Sequence, residues 1–370
     1  MSHTNNLEIF LIAVPGLEEA LCAEVKANSF KSPKAVHGGV LMRGGWPDVW
    51  RANLVLRGAS RVLVRIGAFR VAHLAQLDKR ARAFPWAAVL RPDVPVRVEA
   101  SCSRSRIYHS GAAAQRVATA LREELGAAMA DDADVTVMAR IEDDLCTLSL
   151  DTSGELLHKR GHKQAVGKAP MRETMASLFL RECGYDGKEP VVDPMCGSGT
   201  FVIEAAEIAA RLDPGRGRSF AFEKLATFDA ARWNALRASR KTIVPAFSFY
   251  GSDRDQGAVR MSIANAKRAG VENFTQFCSH GVSELMPSEG PPGLVIVNPP
   301  YGARIGDMKP LFALYGALGK VLLQRFTGWR VGIITTNAAL AKATELPFLP
   351  PGKPVAHGGL KVTLYRTEEL

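Results

Sequence analysis

The sequence lacks the features that mark a membrane-bound or secreted protein. No apolar stretch approaches the length of a transmembrane span. The N-terminus, MSHTNNLEIFLIAVPG, has no basic region, and its apolar run is too short for a secretory leader. The six cysteines, Cys22, Cys102, Cys146, Cys183, Cys196 and Cys278, are scattered and form no CxxC pair. Reduced thiols in a cytoplasmic protein are therefore expected, not a disulfide framework. The eight histidines have no metal-ligand spacing, and no metal site is expected.

What remains is a globular composition, 47% hydrophobic and 23% charged, over 370 residues. That length accommodates two or three domains. The net charge of +10 points weakly to a polyanionic partner. Its distribution says more. Arg51 to Arg122 carries fourteen Lys/Arg against Asp78, Asp93 and Glu99, whereas Glu123 to Asp151 carries nine acids against Arg140. A sheet-and-helix module with one basic face would give this polarity, as would an ordinary solvated surface.

Periodicity divides the chain in two. In the first half, strands are predicted at Leu7–Ala13, Gly39–Arg43, Ser60–Phe69, Pro95–Ser101, Val135–Ala139 and Leu145–Leu150. Helices are predicted at Leu17–Asn28, Pro47–Leu56 and Gly111–Leu125. This is an α+β pattern. Residues 154–170, rich in glycine and lysine, read as a basic connector. Beyond it, short apolar strands alternate with helices, as in a mostly parallel, doubly wound α/β sheet. Residues Pro214–Lys241 interrupt this pattern as a basic, aromatic-containing insertion.

Three motifs carry chemistry. Asp193-Pro-Met-Cys-Gly197-Ser-Gly199-Thr200 follows a strand and opens a helix. Its glycines let the backbone approach a ligand, and the helix N-terminus favours an anionic group. A dinucleotide fingerprint would need a third glycine where Val202 stands. Asp253, at the end of the next strand, suits a ribose diol, while Asp255 is expected to cap the following helix. Asn298-Pro-Pro-Tyr301 ends a wholly apolar strand. Its prolines remove backbone donors. The Asn298 side-chain carbonyl and the Pro299 backbone carbonyl remain as acceptors suited to an amino group. Tyr301 offers a face on which an extruded base can stack.

At these sites the sequence resembles class I methyltransferases that act on amino groups. The runs Arg160-Gly-His-Lys163, Ala169-Pro-Met-Arg-Glu-Thr174, DPMCGSGTF, GSDRD and NPPYGARIG extend the likeness to the RlmL-type large-subunit rRNA guanine-N2-methyltransferases. The segments IAVPGLEEALCAEV, HGGV and FAFEKLATFD, together with Trp233, continue it over nearly the whole chain. The resemblance implies a ferredoxin-like segment (1–67), a THUMP RNA-binding domain (68–153), the connector (154–170) and a Rossmann-like, seven-stranded class I methyltransferase domain (171–370). The chain then looks like the N-terminal half of longer two-domain enzymes.

The implied cofactor is S-adenosylmethionine, held by Pro170, Thr174, Asp193, Pro194, Met195, Cys196, Gly197, Gly199, Thr200, Asp253, Arg254, His280, Gly281 and Asn298. The catalytic set is Asn298, Pro299, Pro300 and Tyr301. Arg104, Arg106, Arg116, Arg160 and Lys163 are expected to hold RNA phosphates, with Tyr108 beside the first two. Two positions depart from the family pattern. Gly281 stands where an acid usually contacts adenine, leaving backbone groups or His280 for that task. Ala303 replaces an acid often found after NPPYG. The expected product is N2-methylguanine in large-subunit rRNA. The alternatives are a tRNA guanine-N2-methyltransferase, a DNA adenine-N6 methyltransferase and a non-catalytic RNA-binding protein.

Overall fold

A computed structural model describes residues 6–164, 171–301 and 308–370. The chain forms two compact units. One comprises Met1–Ala13, Val25–Leu157 and Gly215–Arg240, the other Val14–Glu24, His158–Pro214 and Lys241–Leu370.

The first unit is built on seven strands: β1 (Leu7–Ile12), β2 (Lys34–Val36), β3 (Gly39–Gly44), β4 (Arg61–Arg70), β5 (Val96–Ser103), β6 (Val135–Glu142) and β7 (Leu145–Asp151). They form one sheet in the order β2-β3-β1-β4-β7-β6-β5, antiparallel except where β5 meets β6. The period of two is plain in β1, where Ile9 and Leu11 are fully buried between less buried neighbours. The expected boundary at 67/68 falls inside β4. This strand pairs with β1 on one side and β7 on the other, so the sheet runs on unbroken.

Helices α2 (Trp46–Val55), α3 (Leu74–Arg82) and α4 (Ser110–Ala120) belong to this unit, and α1 (Glu18–Ala27) links β1 to β2. The imidazoles of His73 and His109 cap α3 and α4, accepting from the Gln76 and Ala112 amides. The helix predicted to Leu125 keeps α geometry only to Ala120. It widens into a π turn over Leu121–Leu125 and stops at Gly126, whose φ of 77° is left-handed. Helix α3 carries a short apolar face, Leu74, Leu77 and Ala81, among otherwise polar and charged residues, and it was not among the predicted helices.

The insertion, assigned by the sequence reading to the methyltransferase domain, folds instead with the first unit. Its Gly215, Phe222 and Ala226 amides donate to the carbonyls of Leu54 (3.0 Å), Thr152 (3.0 Å) and Val89 (3.2 Å). The Phe222 ring lies 6.2 Å from Trp50 and 5.1 Å from Trp233 of α7 (Ala230–Ala238). The aromatic residues read in the insertion are therefore core residues of this unit. Burial of such rings is a dominant favourable term, and it decides where the segment folds.

The second unit contains β8 (Val191–Asp193), β9 (Phe249–Asp253), β10 (Thr275–Ser279), β11 (Leu294–Val297), β12 (Arg330–Thr335), β13 (Val355–His357) and β14 (Leu360–Arg366). Their order is β10-β9-β8-β11-β12-β14-β13. The first five run parallel, and β14 is antiparallel to both β12 and β13. This is the mostly parallel, seven-stranded arrangement expected. β11 is fully buried along LVIV, as a central parallel strand covered on both faces must be. Val295, Val297, Val331 and Ile333 pack against Leu311, Tyr315, Leu318 and Leu322 of α9 (Lys309–Arg325). The remaining helices are α5 (Glu173–Glu182), α6 (Thr200–Ala209), α8 (Gln256–Ala269) and α10 (Ala338–Lys342). Strand order reverses between β8 and β11. In open parallel sheets, ligands bind beyond the carboxyl ends of the strands at such a switch point.

Candidate active site

Asp193, Asp253 and Asn298 stand at or just past the ends of β8, β9 and β11, the three strands nearest that reversal. Asp193 is buried, and its Oδ1 accepts from the Met195 amide at 3.1 Å. Desolvation pushes its carboxyl up to about 8, the Asp253 charge adds to this, and the Met195 bond opposes it. After Pro194 the chain turns through Cys196, whose amide donates to the Ser252 carbonyl at 2.9 Å. Gly197 and Gly199 have φ of 54° and 82°, in the region that favours glycine. A Cβ on Gly197 would project into open space, whereas one on Gly199 would stand 3.1 Å from the Ser262 side chain. Thr200 then opens α6 with Gly199 as its N-cap.

Asp253 is drawn into this loop. Its Oδ2 accepts from the Gly197 amide at 3.0 Å and its Oδ1 from the Asp255 amide at 2.9 Å. Each oxygen keeps a lone pair, so the carboxylate can still accept from hydroxyls. Asp255 caps α8 through the Gly257 amide at 2.7 Å, the role read from the sequence. Arg254 is exposed.

Two residues that the sequence reading missed hold the loop from below. Ser262 Oγ donates to the Gly197 carbonyl at 2.9 Å, and Asn265 Nδ2 donates to the Ser198 carbonyl at 3.0 Å. Both are fully buried on the face of α8 that also carries Ala258, Val259, Ala266 and Ala269. Two polar residues three apart on an otherwise apolar helical stripe are the signal that could have found them.

At β11, Asn298 Oδ1 is buried without a hydrogen-bond partner. Burial pushes the Tyr301 phenol up to about 12, opposed by a hydrogen bond with the Asn298 side chain. Pro299 is buried and Pro300 exposed, and the Tyr315 hydroxyl donates to the Pro300 carbonyl at 3.5 Å. Thr174 Oγ1 and Ser252 Oγ are also buried and unpartnered. An orphaned buried polar atom costs about 1–3 kcal/mol, which a ligand can relieve. His280 is half-buried, with Nδ1 3.1 Å from the Gly281 carbonyl. Pro170 and Ala303 lie outside the described residues.

The expected phosphate contacts separate into two groups. Arg104 and Arg106 are exposed but face the β6–β7 hairpin. Arg104 pairs with Glu142 at 2.8 Å and Asp143 at 3.1 Å, and Arg106 lies 3.6 Å from Asp144. The acidic run thus partly neutralises the basic one. Tyr108 is 85% exposed, and Arg116 is exposed on α4. Arg160 and Lys163 must be corrected. Arg160 is buried in an ion pair with Glu204 and lies 3.5 Å from Glu207 on α6. Lys163 is held 3.5 Å from Glu173 and donates to the Met171 carbonyl at 2.6 Å. The desolvation already suffered by these cations is offset by carboxylates, so neither is presented to a phosphate. Burial lowers the pKa of His162 between them, despite Glu207 beside it. Arg268 of α8 donates to the His162 carbonyl at 2.7 Å and to the Asn265 side chain. The connector's RGHK run is thereby tied to the support of the glycine loop.

Comparison with known proteins places this geometry. The family model for the RMKL-like methyltransferase domain matches residues 160–349, more than half of the chain. The chain belongs to that family. Models of the RlmL ferredoxin-like domain and of the THUMP domain match residues 8–63 and 71–151. These two matches lie on the shared seven-stranded sheet, with the gap between them inside β4.

Among RMKL-like relatives, the ribosomal RNA large subunit methyltransferase K/L of Psychromonas ingrahamii is 32% identical over 349 residues. The match covers 90% of this chain and 46% of that protein, so the chain spans about half the length of the curated relative. The crystal structure of a possible methylase from Clostridium difficile 630 has a TM-score of 0.90 and 27% identity, covering 99% of this chain and 98% of that one. A predicted N6-adenine-specific DNA methylase from Listeria monocytogenes has a TM-score of 0.88 and 28% identity, covering 99% and 97%. No helix among the described residues is long and apolar enough to cross a membrane.

Proposed function

We propose that the chain is an S-adenosylmethionine-dependent methyltransferase of the cytoplasm, acting on the exocyclic N2 of a guanine in large-subunit rRNA. The observation that carries this reading is the buried, unpartnered Asn298 Oδ1 past the end of β11, next to the strand that leads into the glycine loop. Among the residues read as cofactor-binding, three features fit the cofactor. They are the open space at Gly197, the orphaned Thr174 Oγ1 and the spare lone pairs on Asp253. Asp193 would meet its amino group, Asp253 its ribose, and Pro194 to Thr200 its methionyl end. When bound, S-adenosylmethionine supplies a methyl group already made electrophilic by its sulfonium.

The protein's task is then mainly placement. Asn298 Oδ1 and the Pro299 carbonyl each accept one hydrogen of the target amine. This draws its lone pair out of conjugation with the ring. Tyr301 stacks on the extruded base, and Tyr315 fixes the turn through Pro300. An amide oxygen is a weak base, and none stronger is required. The nitrogen becomes acidic once alkylated and releases its proton to water.

RNA is favoured over DNA by the THUMP match and by the name of the Psychromonas relative. Incubation with labelled S-adenosylmethionine and rRNA, tRNA or duplex DNA tests this. The expected label is RNase-sensitive and recovered as N2-methylguanine from rRNA. Recovery as N6-methyladenine from DNA would overturn the substrate.

The raised pKa of Asp193 gives a pH dependence. Between its unfolded value of 3.8 and its folded value of about 8, the folded state retains a proton that the unfolded state loses. Stability therefore falls as pH rises through this window and is lowest above it. Asp193→Asn is expected to stabilise the ligand-free protein by roughly 2–4 kcal/mol at pH 7. An ammonium ligand instead requires the ionised carboxylate. Binding of S-adenosylhomocysteine should strengthen by up to about tenfold per unit as pH rises toward 8, and be lost in the Asn variant. Calorimetry from pH 6 to 9 reads both, and flat affinity would contradict the assignment of the amino group to Asp193.

A further inference from the structure

β10 ends at Ser279, the register partner of Asp253 on β9. The turn His280–Leu285 therefore begins beside the carboxylate assigned to the ribose. It is the next polar segment along the strand ends, where a base joined to that ribose would be read. The chain has glycine at 281, but a carboxylate stands there nonetheless. The Gly281 amide donates to Glu284 Oε1 at 3.3 Å. Of the atoms that a Cβ on Gly281 would meet, Glu284 Oε1 is the nearest, at 3.8 Å. Glu284 Oε1 thus lies in ordinary contact distance of where a side chain at 281 would begin. The residue is exposed, its amide donates back to the Gly281 carbonyl at 3.1 Å, and its side chain makes no other hydrogen bond or ion pair among the described residues.

The turn that carries it is anchored. Arg325 of α9 donates to the Ser283 carbonyl at 3.0 Å and to the Leu285 carbonyl at 2.9 Å, and Leu285 is buried. His280 is engaged with the Gly281 carbonyl.

We propose that Glu284 is a specificity-determining residue that reads the exocyclic amine of adenine, its second carboxylate oxygen accepting an amine hydrogen. This rests on the assignment of S-adenosylmethionine above and deepens it. An ionised carboxylate only accepts, so it favours an amino purine and repels an oxo purine. Glutamine can also donate, and it relaxes that choice.

The test is calorimetric binding of S-adenosylhomocysteine and of S-inosylhomocysteine, in which a carbonyl replaces the amine. Wild-type protein is expected to prefer the adenosine ligand by about tenfold or more. In Glu284→Gln and Glu284→Ala the two affinities should converge to within about threefold. A wild-type ratio retained in both Glu284 variants would overturn the proposal while leaving the cofactor assignment intact. Failure of wild-type protein to bind either ligand would remove the cofactor assignment, and this inference with it.

Discussion

Asn298→Ala is expected to lower the turnover of methyl transfer by about 10²–10³-fold while changing the affinity for S-adenosylhomocysteine by less than about threefold. The asymmetry follows from the role given to Oδ1, which accepts from the target amine. Oδ1 itself has no protein partner to lose, so the bond that truncation breaks within the fold is the one between the Asn298 side chain and the Tyr301 hydroxyl. What disappears is the acceptor that shapes the nitrogen lone pair. Single-turnover rates with saturating cofactor, alongside calorimetry, separate the two quantities. Full turnover in a variant that binds cofactor normally would refute the amino-group mechanism.

Arg160→Ala is expected to act on stability, not on RNA affinity. Arg160 and Glu204 have side chains about 1% exposed, and Glu207 is fully buried 3.5 Å away. Removing the arginine takes the closest cation from two buried carboxylates, with His162 4.0 Å from Glu207 and its pKa lowered by burial. Breaking a buried pair in this way costs about 3–5 kcal/mol. For a unit of roughly 200 residues that lowers the thermal transition by about 10 °C. Arg106→Ala provides the contrast, since its side chain is 74% exposed. It should leave the transition in place, weaken RNA binding and reduce its salt dependence by about one counterion. An Arg160 variant that melts normally yet loses RNA would reverse this assignment.

These two residues also show how unevenly the sequence speaks. Asn298 was legible because its chemistry is local. A wholly apolar strand, two prolines and a tyrosine fix the turn whatever surrounds it. The glycine loop and Asp253 were legible for the same reason, and so was the capping role of Asp255. Arg160 was misread because the partners that bury it, Glu204 and Glu207, lie more than forty residues further along the chain. Nothing in the spacing of RGHK distinguishes a cation that meets phosphate from one that meets a helix. Ser262 and Asn265 were overlooked likewise, since their acceptors are backbone carbonyls that carry no side-chain signature.

The insertion makes the same point at the scale of an element. Its aromatic residues were visible in the sequence, but only packing showed that they join Trp50 in the core of the first unit. The sheet shared across β4 was likewise invisible, because strand pairing is set by partners remote in the chain.

By itself the sequence determined most of the succession of strands and helices, the three motifs at the strand ends and the resemblance to a methyltransferase family. The elements and motifs depend on hydrophobic period, turn chemistry and short-range spacing, and the family on the resemblance that those motif runs carry. Only the tertiary structure decided which charges are buried, which unit claims the insertion, and that a glutamate three residues on stands beside Gly281. Each of these depends on what a side chain meets across space, and burial and pairing set that once distant segments have come together.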